Sequence, residues 1–244
     1  MRIIDAHCHI GKGRYKRLTA SELIVQMDEN GIEKAVVCPV EEHITVYNQE
    51  GNDYILQAVK EYPDRLIGFA TVNPWYGRRA VEELRRAIGE GLRGLKLNST
   101  IQGYFINDEL VYPVIETAQE LDIPVYFHTA TPIFSLPLQL SDLAGEFPEV
   151  RFVMGHSAAS DFWIDAAPAT RMHDNIFLES SLRSGSAVLQ HLVDELGAGR
   201  LMFGSDTPAS TMSVELAKIN SLELSPVDKD LVLAGTVLRV LGEA

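Results

Sequence analysis

Apolar, strand-like runs alternate with amphipathic helical stretches along this chain, and that alternation constrains the fold more than any other feature. Short connections between the units favour parallel strands joined by crossover helices. Eight strands are predicted, over residues 1–9, 34–39, 66–72, 93–98, 123–128, 150–156, 175–179 and 200–206. With 244 residues, the chain is predicted to form one domain, residues 1–244, folded as a (β/α)8 TIM barrel. An open doubly wound sheet is the alternative, but the first strand lacks the glycine-rich turn that binds a dinucleotide.

The helices between these strands are predicted from periodicity and from their end signals. Thr19 and Glu22 have the spacing of a capping box and Gly31 follows, so a helix is expected over residues 19–30. The polar residues 40–51 are expected to form a loop, followed by a helix over 53–61. Helices are likewise expected over residues 78–88, 108–121, 137–147, 161–173 (in part), 187–196, 213–222 and 228–241.

Composition excludes several classes of protein. The formal net charge is −13, with 34 acidic and 21 basic residues, so nucleic acid is not an expected partner. No apolar run is long enough to cross a bilayer and no signal peptide is recognised, so a cytoplasmic protein without a membrane partner is expected. The two cysteines, Cys8 and Cys38, are too few for a disulfide framework. Both are expected to pack outward against helices as small hydrophobic residues.

Polar side chains occur at the carboxyl ends of the predicted strands, where a barrel of this type carries its active site. Four of the seven histidines are among them. His7 and His9 are two residues apart on one strand and should point the same way, with Asp5 behind them on that face. The full set is His7, His9, Lys96, Asn98, His128, His156, Glu179 and Asp206. Their convergence predicts a metal centre.

The residue types indicate what such a centre could do. Three imidazoles and one carboxylate can hold a divalent cation and leave a position for water, whose pKa the cation lowers. Asp206 is expected to take the proton of that water. His156 is expected to polarise the substrate or to orient the water without binding the cation. Contacts with a small-molecule substrate are expected from Lys96, Asn98 and Glu179. For Glu179, a hydrogen bond within the barrel mouth is an equal alternative.

Several of these segments resemble the motifs of a known family. Asp5-Ala6-His7-Cys8-His9 looks like the opening motif of the amidohydrolase superfamily. Later segments are similar to those of its amidohydrolase-related branch, which includes aminocarboxymuconate semialdehyde decarboxylase. They are Gly94-Leu95-Lys96-Leu97, Val125-Tyr126-Phe127-His128-Thr129, Met154-Gly155-His156, Phe203-Gly204-Ser205-Asp206-Thr207-Pro208 and the final residues 234–242.

The resemblance implies a mononuclear site, usually zinc, with His7, His9, His128 and Asp206 as ligands and His156 outside the ligand set. A second metal bridged by a carboxylated Lys96 is an alternative. The expected activity is hydrolysis of a small, carboxylated organic substrate by metal-activated water. A metal-dependent decarboxylase using the same site is the main alternative, ahead of a TatD-type deoxyribonuclease or a non-catalytic binding protein. The chain could also assemble as a homo-oligomer.

Overall fold

The computed structural model describes residues 1–129, 131–159, 162–182 and 185–243. Within these residues nine strands form one sheet in the order β2-β1-β3-β4-β5-β6-β7-β8-β9. All neighbouring strands are parallel except the short hairpin of β1 and β2. The strands are β1 (Ile4–Lys12), β2 (Arg17–Leu18), β3 (Lys34–Pro39), β4 (Leu66–Thr71), β5 (Gly94–Leu97), β6 (Val125–Phe127), β7 (Phe152–Met154), β8 (Ile176–Glu179) and β9 (Leu201–Met202).

The segment that includes β9 and runs on to residue 207 lies beside β1. Ala6 N donates to Phe203 O at 2.9 Å, Asp206 N to His7 O at 2.8 Å, and His9 N to Thr207 O at 2.7 Å. The two ends of the parallel sheet are therefore hydrogen-bonded to each other, as in a TIM-like fold. This contact places the two histidines of β1 beside the last strand end.

Helices connect the strands, and the order of elements follows the predicted alternation. They are α1 (Ala20–Glu29), α2 (Glu41–Thr45), α3 (Asn48–Glu61), α4 (Arg78–Gly89), α5 (Ser99–Gln102), α6 (Tyr112–Glu120), α7 (Pro137–Glu146), α8 (Ala166–Arg171), α9 (Ser186–Leu196), α10 (Met212–Asn220), α11 (Pro226–Asp230) and α12 (Thr236–Val240). The capping box of α1 is confirmed, because the Thr19 hydroxyl accepts from Glu22 N while the Glu22 carboxylate accepts from Thr19 N. No helix of the described residues is both long and apolar enough to cross a bilayer.

Two apolar clusters fill the fold. One packs the outer faces of the strands against the helices, and the other fills the interior of the sheet and contacts α12. Ile4 and Ala6 belong to the interior cluster, whereas Cys8 and Ile10 belong to the outer one. The alternation of β1 thus changes phase, at an irregularity of register between Asp5 and Cys8. The prediction that Asp5 shares the face of the histidines is wrong for this reason.

The predicted loop over residues 40–51 is also wrong, because α2 and the start of α3 lie there. The polar residues that suggested a loop bind neighbouring backbone instead. Asn48 donates to His43 O and Ile44 O and accepts from Asn73 N, all at 2.8 Å. Near the carboxyl end, the predicted helix contains a π-helical segment, Leu231–Gly235, between α11 and α12. The predicted start of the helical stretch over 161–173 lies outside the described residues.

Candidate metal centre

His7 and His9 meet at the carboxyl end of β1, with their Nε2 atoms 3.1 Å apart and both side chains buried. The other ring nitrogen of His9, Nδ1, lies 2.7 Å from Pro39 O and donates to it. Nε2 of His9 is thereby the atom that faces the site. Burial would lower the pKa of His9, but neighbouring Cys38 and Asp206 raise it to about 9. The surroundings of this nitrogen therefore favour positive charge.

His7 is oriented by a tyrosine and a carboxylate. Tyr126 O lies 2.8 Å from His7 Nδ1, and the tyrosine hydroxyl donates to Glu179 Oε2 at 2.7 Å. Since that hydroxyl has one proton, it accepts from Nδ1–H of His7. Nε2 of His7 is then an acceptor that faces His9 and lies 2.9 Å from Lys96 Nζ.

Asp206 completes an electron-rich group of atoms. Its backbone is in the left-handed region, with φ of 51°, an unusual conformation for aspartate. Its Oδ1 is buried without a hydrogen-bond partner, 3.3 Å from His9 Nε2 and 3.8 Å from His7 Nδ1. Burial raises the pKa of Asp206, but His7 and His9 outweigh it and hold that pKa well below its usual range. Lys16 Nζ also lies 3.7 Å from this oxygen. Two imidazole nitrogens and a carboxylate oxygen are donors that suit a divalent cation.

His156 and His128 form a second pair of imidazoles at 3.0 Å, between Nε2 of His156 and Nδ1 of His128. His156, with φ of 59°, also lies 2.8 Å from Ser181 Oγ, which donates to Glu179 Oε2. Nε2 of His128 lies 3.3 Å from Thr131 Oγ1. Burial lowers the pKa of both imidazoles, that of His156 to about 4. The pair is therefore neutral at pH 7.

Two trios of metal-capable residues have ligand atoms within 4.8 Å of one another among the described residues. They are His7 with His9 and Cys38, and His7 with His156 and Glu179. Neither trio contains Asp206 or His128. Asp206 is nevertheless close to His7 and His9, whereas the side chain of His128 contacts His156 and Thr131. The structure thus brings His7, His9 and Asp206 together and places His128 beside His156.

The three residues expected to contact substrate occupy different surroundings. Lys96 is buried, with Nζ 3.7 Å from the centre of the Tyr126 ring, and burial lowers its pKa to about 8. Asn98 is half-buried and caps α5, its side chain accepting from Ile101 N. Glu179 is fully buried and accepts from Tyr126, from the Ser181 hydroxyl and from His156 N. Glu179 is thus bound by donors of the chain itself, which agrees with the alternative of a hydrogen bond within the barrel mouth.

Three further site residues escaped the sequence analysis. Tyr126 lies on β6, two positions before His128, so strand alternation could have revealed it. Ser181 follows Glu179 at the same spacing. Cys38 faces inward, with Sγ 3.3 Å from His9 Nδ1, and belongs to the interior cluster. The expectation that both cysteines pack outward is right for Cys8 and wrong for Cys38.

Comparisons with known proteins give the family and its chemistry. The family model described as amidohydrolase matches residues 4–242. Gamma-resorcylate decarboxylase of Rhodococcus jostii (strain RHA1) is 25% identical over 267 residues, covering 83% of this chain and 81% of the relative. 2-Amino-3-carboxymuconate-6-semialdehyde decarboxylase of Dictyostelium discoideum is 26% identical over 233 residues, covering 78% of this chain and 65% of the relative.

A solved structure supports the fold. It is 5-carboxyvanillate decarboxylase of Novosphingobium aromaticivorans in complex with manganese and a nitrobenzoic acid, with a TM-score of 0.79 at 17% identity. The match covers 99% of this chain and 96% of that structure. A divalent metal is thus confirmed for a structural relative, although it is manganese and not the expected zinc.

The expected hydrolase activity is contradicted, because these relatives are decarboxylases. The ligand-bearing residues predict the family correctly but not the reaction, since hydrolysis and decarboxylation use the same donor types at the same strand ends. With its strand-end motifs, TIM-like sheet and near-complete family match, the chain belongs to the amidohydrolase superfamily, in the branch of aminocarboxymuconate semialdehyde decarboxylase.

Proposed function

We propose that this chain is a metal-dependent decarboxylase of small carboxylic acids, hydroxylated aromatic acids in particular. The observation that carries the proposal is the buried meeting of His7, His9 and Asp206: the two Nε2 atoms are 3.1 Å apart, and Asp206 Oδ1 lies 3.3 Å from His9 Nε2. Decarboxylase relatives that match most of the chain supply the reaction class. A donor set of this kind suits one divalent cation.

The proposed ligands are His7, His9, His128 and Asp206. When bound, the cation would supply a positive charge that holds and polarises the substrate carboxylate. The chain's own groups fix the ligands beforehand, because Pro39 O orients His9 and the Tyr126 hydroxyl orients His7. Burial of the whole group keeps bulk water from the reacting carbon.

Decarboxylation breaks the bond between the substrate carbon and its carboxylate, and that carbon must then receive one proton. Asp206, which its lowered pKa keeps ionised, is proposed to take this proton from a water molecule and pass it to the carbon, because its buried Oδ1 has no hydrogen-bond partner among the described residues. Lys96 is proposed to balance the negative charge that develops on the substrate, since its ammonium lies beside His7 in the buried interior. His156 is proposed to orient the substrate, with Asn98 contacting it at the rim.

Carbon dioxide release tests the proposal directly. The cation-loaded protein would be incubated with a panel of small hydroxybenzoic and unsaturated carboxylic acids, and with lactones and amides as controls. We expect CO₂ from at least one acid. We also expect His156→Ala to retain the cation while turnover falls roughly 100-fold or more. His191→Ala, at an exposed helical histidine, is the matched control. Turnover of a lactone or amide with no CO₂ from any acid would contradict the proposal.

A further inference from the structure

Cys38 lies against the proposed cation site on the strand next to β1. Its Sγ is 3.3 Å from His9 Nδ1 and 3.9 Å from His9 Nε2, and its side chain is 2% exposed. The strand alternates so that Val36 and Cys38 face the interior while Val37 packs outward. The sulfur is therefore held on the same side of the sheet as the two histidines.

The hydrogen bonds around Cys38 leave its sulfur available as a donor of electrons. Nδ1 of His9 already donates to Pro39 O at 2.7 Å, and the thiol contacts Cys8 O at 3.4 Å. One potential ligand atom from each of His7, His9 and Cys38 lies within 4.8 Å of the other two. These three atoms are close enough together to bind one metal ion.

A carboxylate oxygen lies at the same place. The buried Oδ1 of Asp206 has no hydrogen-bond partner among the described residues and lies 3.3 Å from the same His9 Nε2. Lys16 Nζ is 3.7 Å from this oxygen, so a bound cation would share the carboxylate with that ammonium. The oxygen and the sulfur both neighbour the imidazole of His9.

We propose that Cys38 supplies a sulfur ligand to the cation held by His7 and His9, making this a mixed nitrogen, oxygen and sulfur centre. The inference rests on the proposed cation site and adds a ligand to it. Thiolate ligands select zinc and other softer ions over manganese. The chain should therefore prefer Zn²⁺ or Co²⁺ to Mn²⁺, unlike a purely nitrogen and oxygen site.

Cobalt is the probe that separates ligation from simple packing. The full-length protein would be freed of metal, loaded with one equivalent of Co²⁺ and examined by absorption spectroscopy. Sulfur bound to cobalt gives a near-ultraviolet charge-transfer band that nitrogen and oxygen ligands do not give. We expect this band in the wild type and in Cys8→Ser, whose sulfur lies in the outer cluster. We expect Cys38→Ser to lose the band while retaining the visible bands of bound cobalt.

Competition between Zn²⁺ and Mn²⁺ provides a second readout. Replacing Cys38 with serine should lower the affinity for Zn²⁺ by roughly 10-fold or more and leave that for Mn²⁺ little changed. The inference is overturned if the wild-type cobalt protein lacks the charge-transfer band, a result that needs no variant to fold. It is also overturned if Cys38→Ser retains the band. Failure of the wild type to bind any cobalt would overturn the cation site itself, which is a distinguishable result.

Discussion

Glu179 determines how two site histidines present their nitrogens. Its Oε2 accepts from the hydroxyls of Tyr126 and Ser181, and each hydroxyl in turn lies 2.8 Å from Nδ1 of His7 or of His156. Burial raises the pKa of this carboxyl, but hydrogen bonding and the two neighbouring imidazoles lower it to about 2. A permanent buried anion thus fixes the Nδ1–H tautomer of both rings.

Glu179→Gln should disturb both histidines at once. The amide replaces one acceptor oxygen by an NH₂ group, which is a donor. A hydroxyl of Tyr126 or Ser181 that donated to that oxygen then faces another donor. We expect the free energy of unfolding to fall by roughly 1–3 kcal/mol. Urea denaturation measures that loss, and imidazole ¹⁵N shifts report the tautomers of His7 and His156. Glu195→Gln, a half-exposed partner of Arg171, is the matched control. Unchanged stability with unchanged imidazole shifts would contradict the assigned role of Glu179.

Among the elements, β1 and the segment after β9 are held together by hydrogen bonds to the buried carboxylate of Asp5. Asp5 Oδ1 accepts from His7 N at 3.0 Å and from Ser205 N at 2.9 Å, at the point where β1 changes phase. Its other oxygen is buried without a hydrogen-bond partner. Burial raises the pKa of Asp5 from 3.8 to about 6. The carboxylate therefore fixes the junction but is costly when it is charged.

Asp5 should make stability depend on pH in a definite direction. A raised folded-state pKa means that the folded protein binds the proton more tightly than the unfolded chain. The stabilisation is complete below about pH 4 and is lost as pH rises to about 6, by roughly 3 kcal/mol. Asp5→Asn keeps an acceptor oxygen and cannot ionise. Its unfolding free energy should therefore rise relative to the wild type across that window.

Urea denaturation of both proteins at a series of pH values measures this difference. The contributions of all other titrating groups are the same in both proteins and cancel in the difference between their unfolding free energies. The wild type is therefore the matched control for the variant. Parallel stability curves between pH 4 and pH 6 would show that the buried Asp5 carboxyl is not the group responsible.

Across the whole molecule, the site is built from segments that are far apart in the chain. The proposed ligands are His7 and His9 on β1, His128 just after β6 and Asp206 in the segment after β9. A cation that binds the folded chain alone must stabilise it by mass action. Assembly of the site and folding of the sheet are therefore coupled.

Cation binding should raise the free energy of unfolding. At a concentration 100 times the dissociation constant, the expected gain is about 2.7 kcal/mol. Thermal and urea unfolding with Mn²⁺ or Zn²⁺, against a chelator-treated sample, measure it. Asp206→Ala should lose most of the gain, whereas Asp194→Ala, at an exposed helical position, should keep it. Equal stabilisation of the wild type and Asp206→Ala would place the cation elsewhere.

Local residue patterns were enough to predict the order of strands and helices, and short motifs were enough to predict the family. Period-2 and helical patterns are local properties, and parallel strands bring their carboxyl ends to one edge whatever the detailed packing. The closeness of His7, His9 and Asp206 to one another follows from that rule. The capping box of α1 was predictable because it depends on residues three positions apart.

The neighbours of each site residue could not be predicted from local patterns and became known only from the folded chain. The phase change in β1 turns Asp5 away from the histidines, and the packing of β3 turns Cys38 toward them. Glu179 binds other residues of the chain because the hydroxyls of Tyr126 and Ser181 donate hydrogen bonds to its carboxylate. These contacts depend on register and side-chain packing between strands, which local patterns do not specify.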